Sequence, residues 1–357
     1  MLIFFIGLHL LGFFIIICNK INDLNTYGAL SHFSTLLLKS MLCALLTHTA
    51  ALSSPTHRYA SSASAWQAMR AGDLSVADFL ASYTSRPPPP PTYSSTNTMY
   101  RHTTNATLPA ALDWTTKGVV TPVKSQRCGD CWTFSATGAL EGAYAIARGT
   151  AKLTNFSEQE FVDCVDDGCN GGWNFNALKF AVNHSVCTAE SFPCTAKGNG
   201  TQCVAWKASP CARGKRALAK GELEGWKSVG GKKWGATTEK DLMSALQHGP
   251  VAINMFADSP MGHYHGGVLA YSNCSKGTNH GVLAVGYGHC AGDRNVTTGP
   301  CANVSSATGV DYWKVKNSWG ASFGVGGYFF LARGVYKAGC GTASILLTNP
   351  SFPVMKK

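Results

Sequence analysis

Fourteen cysteines in 357 residues set the first constraint on this chain. So many thiols are rare in a reducing cytosol; they suit a compartment where disulfides form and hold loops together. Seven N-x-S/T sequons, at Asn105, Asn155, Asn183, Asn199, Asn273, Asn295 and Asn303, point to the same glycosylating compartment. The N-terminus agrees. Met1–Cys18 is almost wholly apolar and lacks the positive leader of a signal peptide, and its length also suits a signal anchor. A second apolar run, Met41–Leu52, follows Lys39 and ends in small residues, so it reads as a signal peptide if synthesis starts at Met41. In either case residues 1–52 are a targeting region for the secretory pathway, with a lysosome, a vacuole or the extracellular space as destination.

Charged residues make up only 14% of the chain and apolar ones 45%, a balance that favours a packed core over disorder. The net charge of +11 comes partly from clusters at Arg213–Lys220 and Lys227–Lys233. No nucleic-acid reading motif accompanies them, so they read as a solvated basic face, and no nucleic-acid partner is expected. Residues 53–107 are rich in Ser, Thr and Pro. Pro87–Pro91 forms a stiff polyproline segment and Ala77–Tyr83 a short helix. This stretch has little to bury and reads as a linker or pro-segment. Dense apolar patterning begins at Leu108, which opens a domain over 108–357. Its first part, about 116–217, is helical. Cys131–Arg148 carries an apolar stripe at Trp132, Ala136, Leu140, Ala143 and Ala147 and stops at Gly149. Ser157–Glu160 reads as a capping box. The later part, about 218–350, holds strand signals at Val251–Phe256, Gly281–Tyr287, Tyr312–Val315 and Gly327–Leu331. The fold class is α+β.

Cys131 stands at the start of the long helix, where free N–H groups and the helix dipole favour a thiolate. A nucleophilic thiolate needs a histidine base held by a third group. Spacing alone does not select that histidine among eleven. Cys128-Gly-Asp-Cys131 could equally be a redox pair. His263 and His265 have the spacing of a metal pair on a strand, but no acidic or cysteine partner is near them, so they read as loop histidines; no metal or cofactor is expected.

Five blocks settle the choice by resemblance. Leu108-Pro-Ala-Ala-Leu-Asp-Trp with Val120–Gln126 and Cys128–Ser135 resembles the start of a mature papain-like cysteine peptidase. Cys169-Asn-Gly-Gly172, Asn279–Gly288, Lys316–Gly320 and Cys340-Gly-Thr-Ala-Ser follow in that family's order, and His280 lies 149 residues after Cys131. The resemblance implies a two-lobed fold, a helical lobe packed on a β-barrel-like lobe with the active-site cleft between them. It implies Cys131 as nucleophile, His280 as base and acid in a thiolate–imidazolium pair, Asn317 as the group orienting that ring, and Trp319 as its cover. It implies an oxyanion hole built from Gln126 and the Cys131 N–H. It also implies bridges Cys128–Cys169, Cys164–Cys203 and Cys274–Cys340, leaving Cys187, Cys194 and Cys211 without an assigned pairing. Gly171 and Gly172 would pair with an extended substrate. A selectivity pocket would be lined by Trp173, Asn174, Asn254 and Gly281 over Ile345, an apolar base that suits a hydrophobic residue two positions before the cut.

The implied protein is a monomeric endopeptidase acting on proteins or peptides, inhibited by its own pro-segment. An exopeptidase or an impaired binding scaffold of the same fold are the alternatives. Four departures stand out. Only Arg127 separates Gln126 from Cys128, one residue fewer than usual. Asp130 replaces a small residue before the nucleophile. Phe323 replaces a second Trp. His289–Val310 is a long insertion, read as a glycosylated loop bridged by Cys290–Cys301. The family's interlocking pro-segment helices are not recognisable upstream.

Overall fold

Thr121, Lys124, Glu141, Glu158 and Lys316 meet inside the protein, and the elements that carry them define the architecture of this computed structural model. The described residues are 60–85, 98–103, 107–195, 216–231, 236–271, 277–291, 299, 301–302, 309–335, 340–348 and 350–357. Asn105, Asn199, Cys203, Cys211, Asn273, Cys274, Asn295 and Asn303 lie outside them, as does the whole targeting region.

The chain opens with two short helices, α1 (Ser62–Arg70) and α2 (Val76–Tyr83), then a strand β1 (Thr98–Tyr100). β2 (Leu112–Asp113) precedes the long helix α3 (Cys131–Arg148), whose bounds match the expected ones. α3 is buried almost all round over its first three turns, and only its last turn, with Ala147, reaches solvent. With α4 (Glu158–Cys164) and α5 (Asn174–Asn183) it forms the helical lobe, whose core gathers Trp132, Leu140, Phe156, Phe161 and Leu178. Ser157 caps α4 by accepting from the Glu160 N–H, but the reciprocal half of the box is absent. The Ser157 N–H donates to the Cys187 carbonyl instead, and the Glu160 carboxylate accepts from the Cys187 N–H. The cap's own donor was taken by a neighbouring strand.

β3 (Val186–Cys187) pairs with β4 (Arg216–Leu218) in a small antiparallel sheet. The large sheet runs β1-β5-β11-β6-β8-β9-β10-β7, with β2 on β8. Its further strands are β5 (Leu223–Val229), β6 (Val251–Met255), β7 (Val268–Leu269), β8 (His280–Cys290), β9 (Val310–Lys316), β10 (Tyr328–Ala332) and β11 (Ser351–Met355). Helices α6 (Glu239–Ala245) and α7 (Ser259–Gly262) flank it. Most pairings are antiparallel; β1 on β5 and β7 on β10 are parallel. α3 packs on both the helical lobe and strands β6, β8 and β11, so it forms the seam between the lobes.

The upstream stretch does bury surface, contrary to expectation. Trp66 and Phe79 are fully buried and Tyr83 nearly so, all within the core of the β lobe. β1 adds an edge strand to β5: Tyr100 packs edge-on against Phe352 and its hydroxyl meets Ser244 and His248.

Two pairings are directly present, Cys128–Cys169 and Cys290–Cys301. Cys164, Cys187 and Cys340 are also disulfide-bonded. The expected partners Cys203 and Cys274 lie outside the described residues. Asn155 and Asn183 are exposed. No helix among the described residues is long and apolar enough to cross a membrane.

Candidate active site

The helix start and a strand start meet at one place. Cys131 is the first residue of α3 and His280 the first of β8. They can approach because Gly281 has no side chain: a Cβ there would lie 2.8 Å from Trp132 Cα. The Gly281 N–H therefore reaches the Cys131 sulfur at 3.3 Å. Cys131 is a buried free thiol, and Cys128 is tied to Cys169 rather than poised as its redox partner. The redox reading of Cys128 and Cys131 falls with that bridge.

His280 Nε2 lies 2.8 Å from Asn317 Oδ1. The Ser318 backbone N–H donates to the same Oδ1 at 2.8 Å, so that atom can only be the amide oxygen. An oxygen that only accepts requires a proton on Nε2, which leaves Nδ1 as the basic nitrogen. Nδ1 is buried and has no hydrogen-bond partner. Trp319 stacks on the imidazole with ring centroids 4.8 Å apart. Phe323 meets Trp319 edge-on.

Gln126 is fully buried, and its amide is also oriented by its neighbours. Oε1 accepts from the Ser318 hydroxyl at 2.7 Å. Nε2 donates to the Cys128 carbonyl at 2.7 Å and to the Tyr83 carbonyl at 3.2 Å. The shortened loop thus keeps Gln126 beside the helix start, with its donors occupied by two carbonyls.

The upstream helices close the site. The first N–H groups of α1 have no acceptor within the helix. Ser62 N–H donates to the Gln126 carbonyl, and the Ser62 hydroxyl contacts Ser125 and Ser318. Trp66 stacks above Trp319 and Phe79 meets it edge-on. Beyond α2, the Ser85 N–H donates to the Asn279 carbonyl, and its hydroxyl lies 3.7 Å from the Cys131 sulfur.

This cover decides the charge state. Burial pushes the Cys131 thiol up to about 11, against the Gly281 and Ser85 hydrogen bonds and helped by the Asp130 carboxylate. Burial pulls His280 down to about 4, against its bond to Asn317. Both shifts favour the neutral forms, so burial under this cover works against the expected thiolate–imidazolium pair. Desolvation outweighs everything that favours the charges.

The expected pocket residues are only partly together. Asn254 and Gly281 face each other in register across β6 and β8. Trp173 is buried and stacks on Phe175. Gly172 presses on the Trp132 indole, which a Cβ would meet at 2.6 Å, and Gly171 has a φ of 136° that a side chain would resist. Asn174 differs from expectation: its amide bonds Ser135 on α3 and Ser351 on β11, inside the protein. Ile345 is fully buried in the β-lobe core. Tyr83 and Ser85, which touch the site, were not singled out as site residues in the sequence; the short helix that Tyr83 ends was the available signal. His263 and His265 lie beyond α7, and the described residues hold no cluster of His, Cys, Asp or Glu able to bind a metal.

The model of the family described as "Papain family cysteine protease" matches residues 108–348. The probable cysteine protease RD21C of Arabidopsis thaliana is 34% identical over 68% of this chain. The chain spans about half, 48%, of that relative's length. Chicken (Gallus gallus) cathepsin K is 33% identical over 80% of this chain and 75% of its own. Among solved structures, a recombinant stem bromelain precursor superposes with a TM-score of 0.62 at 27% identity, covering 80% of this chain and 81% of that one. A chain whose Cys131, His280 and Asn317 arise from these elements, and which the family model matches over 108–348, belongs to the papain family of cysteine proteases.

Proposed function

We propose that this protein is a cysteine endopeptidase made as a latent precursor, with Cys131 as nucleophile, His280 as base and Asn317 as the residue that sets the ring. The observation that carries the reading is the bare, buried Nδ1 of His280, its tautomer fixed by Asn317, on the residue next to the one that touches the Cys131 sulfur. Once uncovered, Nδ1 takes the thiol proton and the sulfur attacks the carbonyl carbon of the scissile bond. The oxyanion takes hydrogen bonds from Gln126 Nε2 and from the Cys131 N–H, which has no acceptor within its helix. His280 returns the proton to the leaving amine, and a water molecule, deprotonated by the same nitrogen, releases the acyl group. Trp319 shelters the His280–Asn317 bond.

Residues 60–85 act in this reading as the inhibitor within the chain. Tyr83 offers its carbonyl to the donor meant for the oxyanion, and Ser85 caps the sulfur. Similarity to a bromelain precursor supports a removable segment. Gly171 and Gly172 offer a backbone edge to an extended substrate. Trp173, with Asn254 and Gly281, lines the pocket for a hydrophobic residue two positions before the cut. The disulfides support a life in the secretory pathway. A blocked fluorogenic peptide with Phe or Leu at that position tests the proposal. The matured protein should cleave it and Cys131→Ser should not; cleavage only of substrates with a free terminus would make it an exopeptidase, and no cleavage of any peptide would leave a binding scaffold.

A further inference from the structure

Asp130 is the residue whose position the reaction above does not explain. It is the N-cap of α3, next in sequence to the sulfur, yet its side chain makes no capping bond. It is fully buried, and its Oδ1 has no hydrogen-bond partner. Oδ2 lies 4.0 Å from the Cys194 sulfur. The ionisable groups that face it are Glu158 on α4, Cys194 on the segment after β3, and Cys131 on its own helix. Among the described residues no Lys, Arg or His forms an ion pair with it. Burial holds the carboxyl up to about 7, Glu158 adds to the rise, and the backbone N–H groups of Asp130, Cys128 and Arg127 oppose it. A charge there raises the Cys131 thiol.

We propose that Asp130 is a positioning residue that restrains the reactivity of Cys131 once its own carboxyl ionises. Neutral, it leaves the N-terminus of α3 free to stabilise a thiolate. Ionised, it sets a negative charge against the same sulfur and cancels that help. The proposal rests on Cys131 as the nucleophile, and it deepens that reading by giving the sulfur a restraint that depends on pH.

The sign of the stability effect follows from the same group. The folded carboxyl is held above its unfolded value, so the stability it contributes is present below that unfolded value and is lost as pH rises through about 7. Asp130→Asn should therefore raise the melting temperature at about pH 8 and leave it nearly unchanged at about pH 3.5.

The direct test compares native protein, Asp130→Asn and Asp130→Ser, each expressed as the full chain and left to mature. The rate of Cys131 alkylation by iodoacetamide is read by peptide mass from about pH 4 to 9. Around pH 7, where the carboxyl ionises, the native rate should climb less steeply than that of either variant, whose slope should stay constant. Both variants should exceed the native rate about tenfold at the alkaline end, the change that one unit of thiol pKa makes. Superimposable profiles, or a change equal at every pH, would overturn the proposal. Two variants of different size, each with its melting curve, keep a folding defect in one from hiding the result. Absence of Cys131 labelling in the native protein would instead overturn the nucleophile assignment.

Discussion

A histidine that works as a base must keep one nitrogen unprotonated and directed at its task. In His280 the Asn317 oxygen does this, because it can accept from Nε2–H and cannot donate to it. Ser318 holds both partners in place: its N–H fixes Asn317 and its hydroxyl fixes Gln126. Asn317→Ala should therefore lower kcat by about 10²-fold or more, with a small change in KM, in steady-state assays of the matured protein. On the proposed reading, Gln126→Ala should lower kcat by about 10²–10³-fold, since it removes the Nε2 donor that the Tyr83 carbonyl occupies in the precursor and that turns to the developing oxyanion once residues 60–85 are gone. A rise in KM with kcat unchanged in that variant would assign Gln126 to ground-state binding instead.

At the scale of elements, aromatic contact holds the upstream helices to the β lobe. Trp66, Phe79, Trp319 and Phe323 form one ring cluster that spans α1, α2 and the loop after β9. Trp66→Ala removes a fully buried indole from it, a loss of about 3–5 kcal/mol. The expected outcome is a precursor whose Cys131 reacts with iodoacetamide before any cleavage, whereas the native precursor stays protected. The sequence showed α3 and the strands because their apolar residues follow their own period. It did not show what α1 and α2 bury, because an eight- or nine-residue helix has no inside of its own and takes its partner from residues some 250 positions away, such as Trp319. The local signs were there: Ser61 and Ser64 cap each other, Ser75 caps α2, and Trp66 to Met69 and Phe79 to Tyr83 have helical spacing. In the site, the positions of Cys131, His280, Asn317 and Gln126 were legible from motifs. The raised thiol of Cys131 and the lowered imidazole of His280 were not, since both shifts come from burial under a cover that the motifs do not contain.

For the whole molecule, the two lobes are joined at α3 by buried charge. Lys124 is paired with Glu141 and Glu158 at 2.7 Å each, and both carboxylates raise its pKa against the effect of burial. Thr121 bridges Glu141 to Lys316 of β9, whose pKa burial lowers to about 8. Glu141 also accepts from the Phe156 N–H. Removing one member strands the others without water. Glu141→Gln should cost about 3–5 kcal/mol, seen as a lower midpoint in urea unfolding. A variant as stable as the native protein would show that the cluster adds nothing to holding the lobes together.

The central claim is that Cys131 is the nucleophile of a peptidase, and a peptidyl epoxide reads it most directly. Matured protein treated with one equivalent should lose all peptidase activity and gain a single adduct, mapped by peptide mass to Cys131, and Cys131→Ala should show neither activity nor adduct. An adduct on another residue, or peptidase activity that survives in Cys131→Ala, would contradict the account.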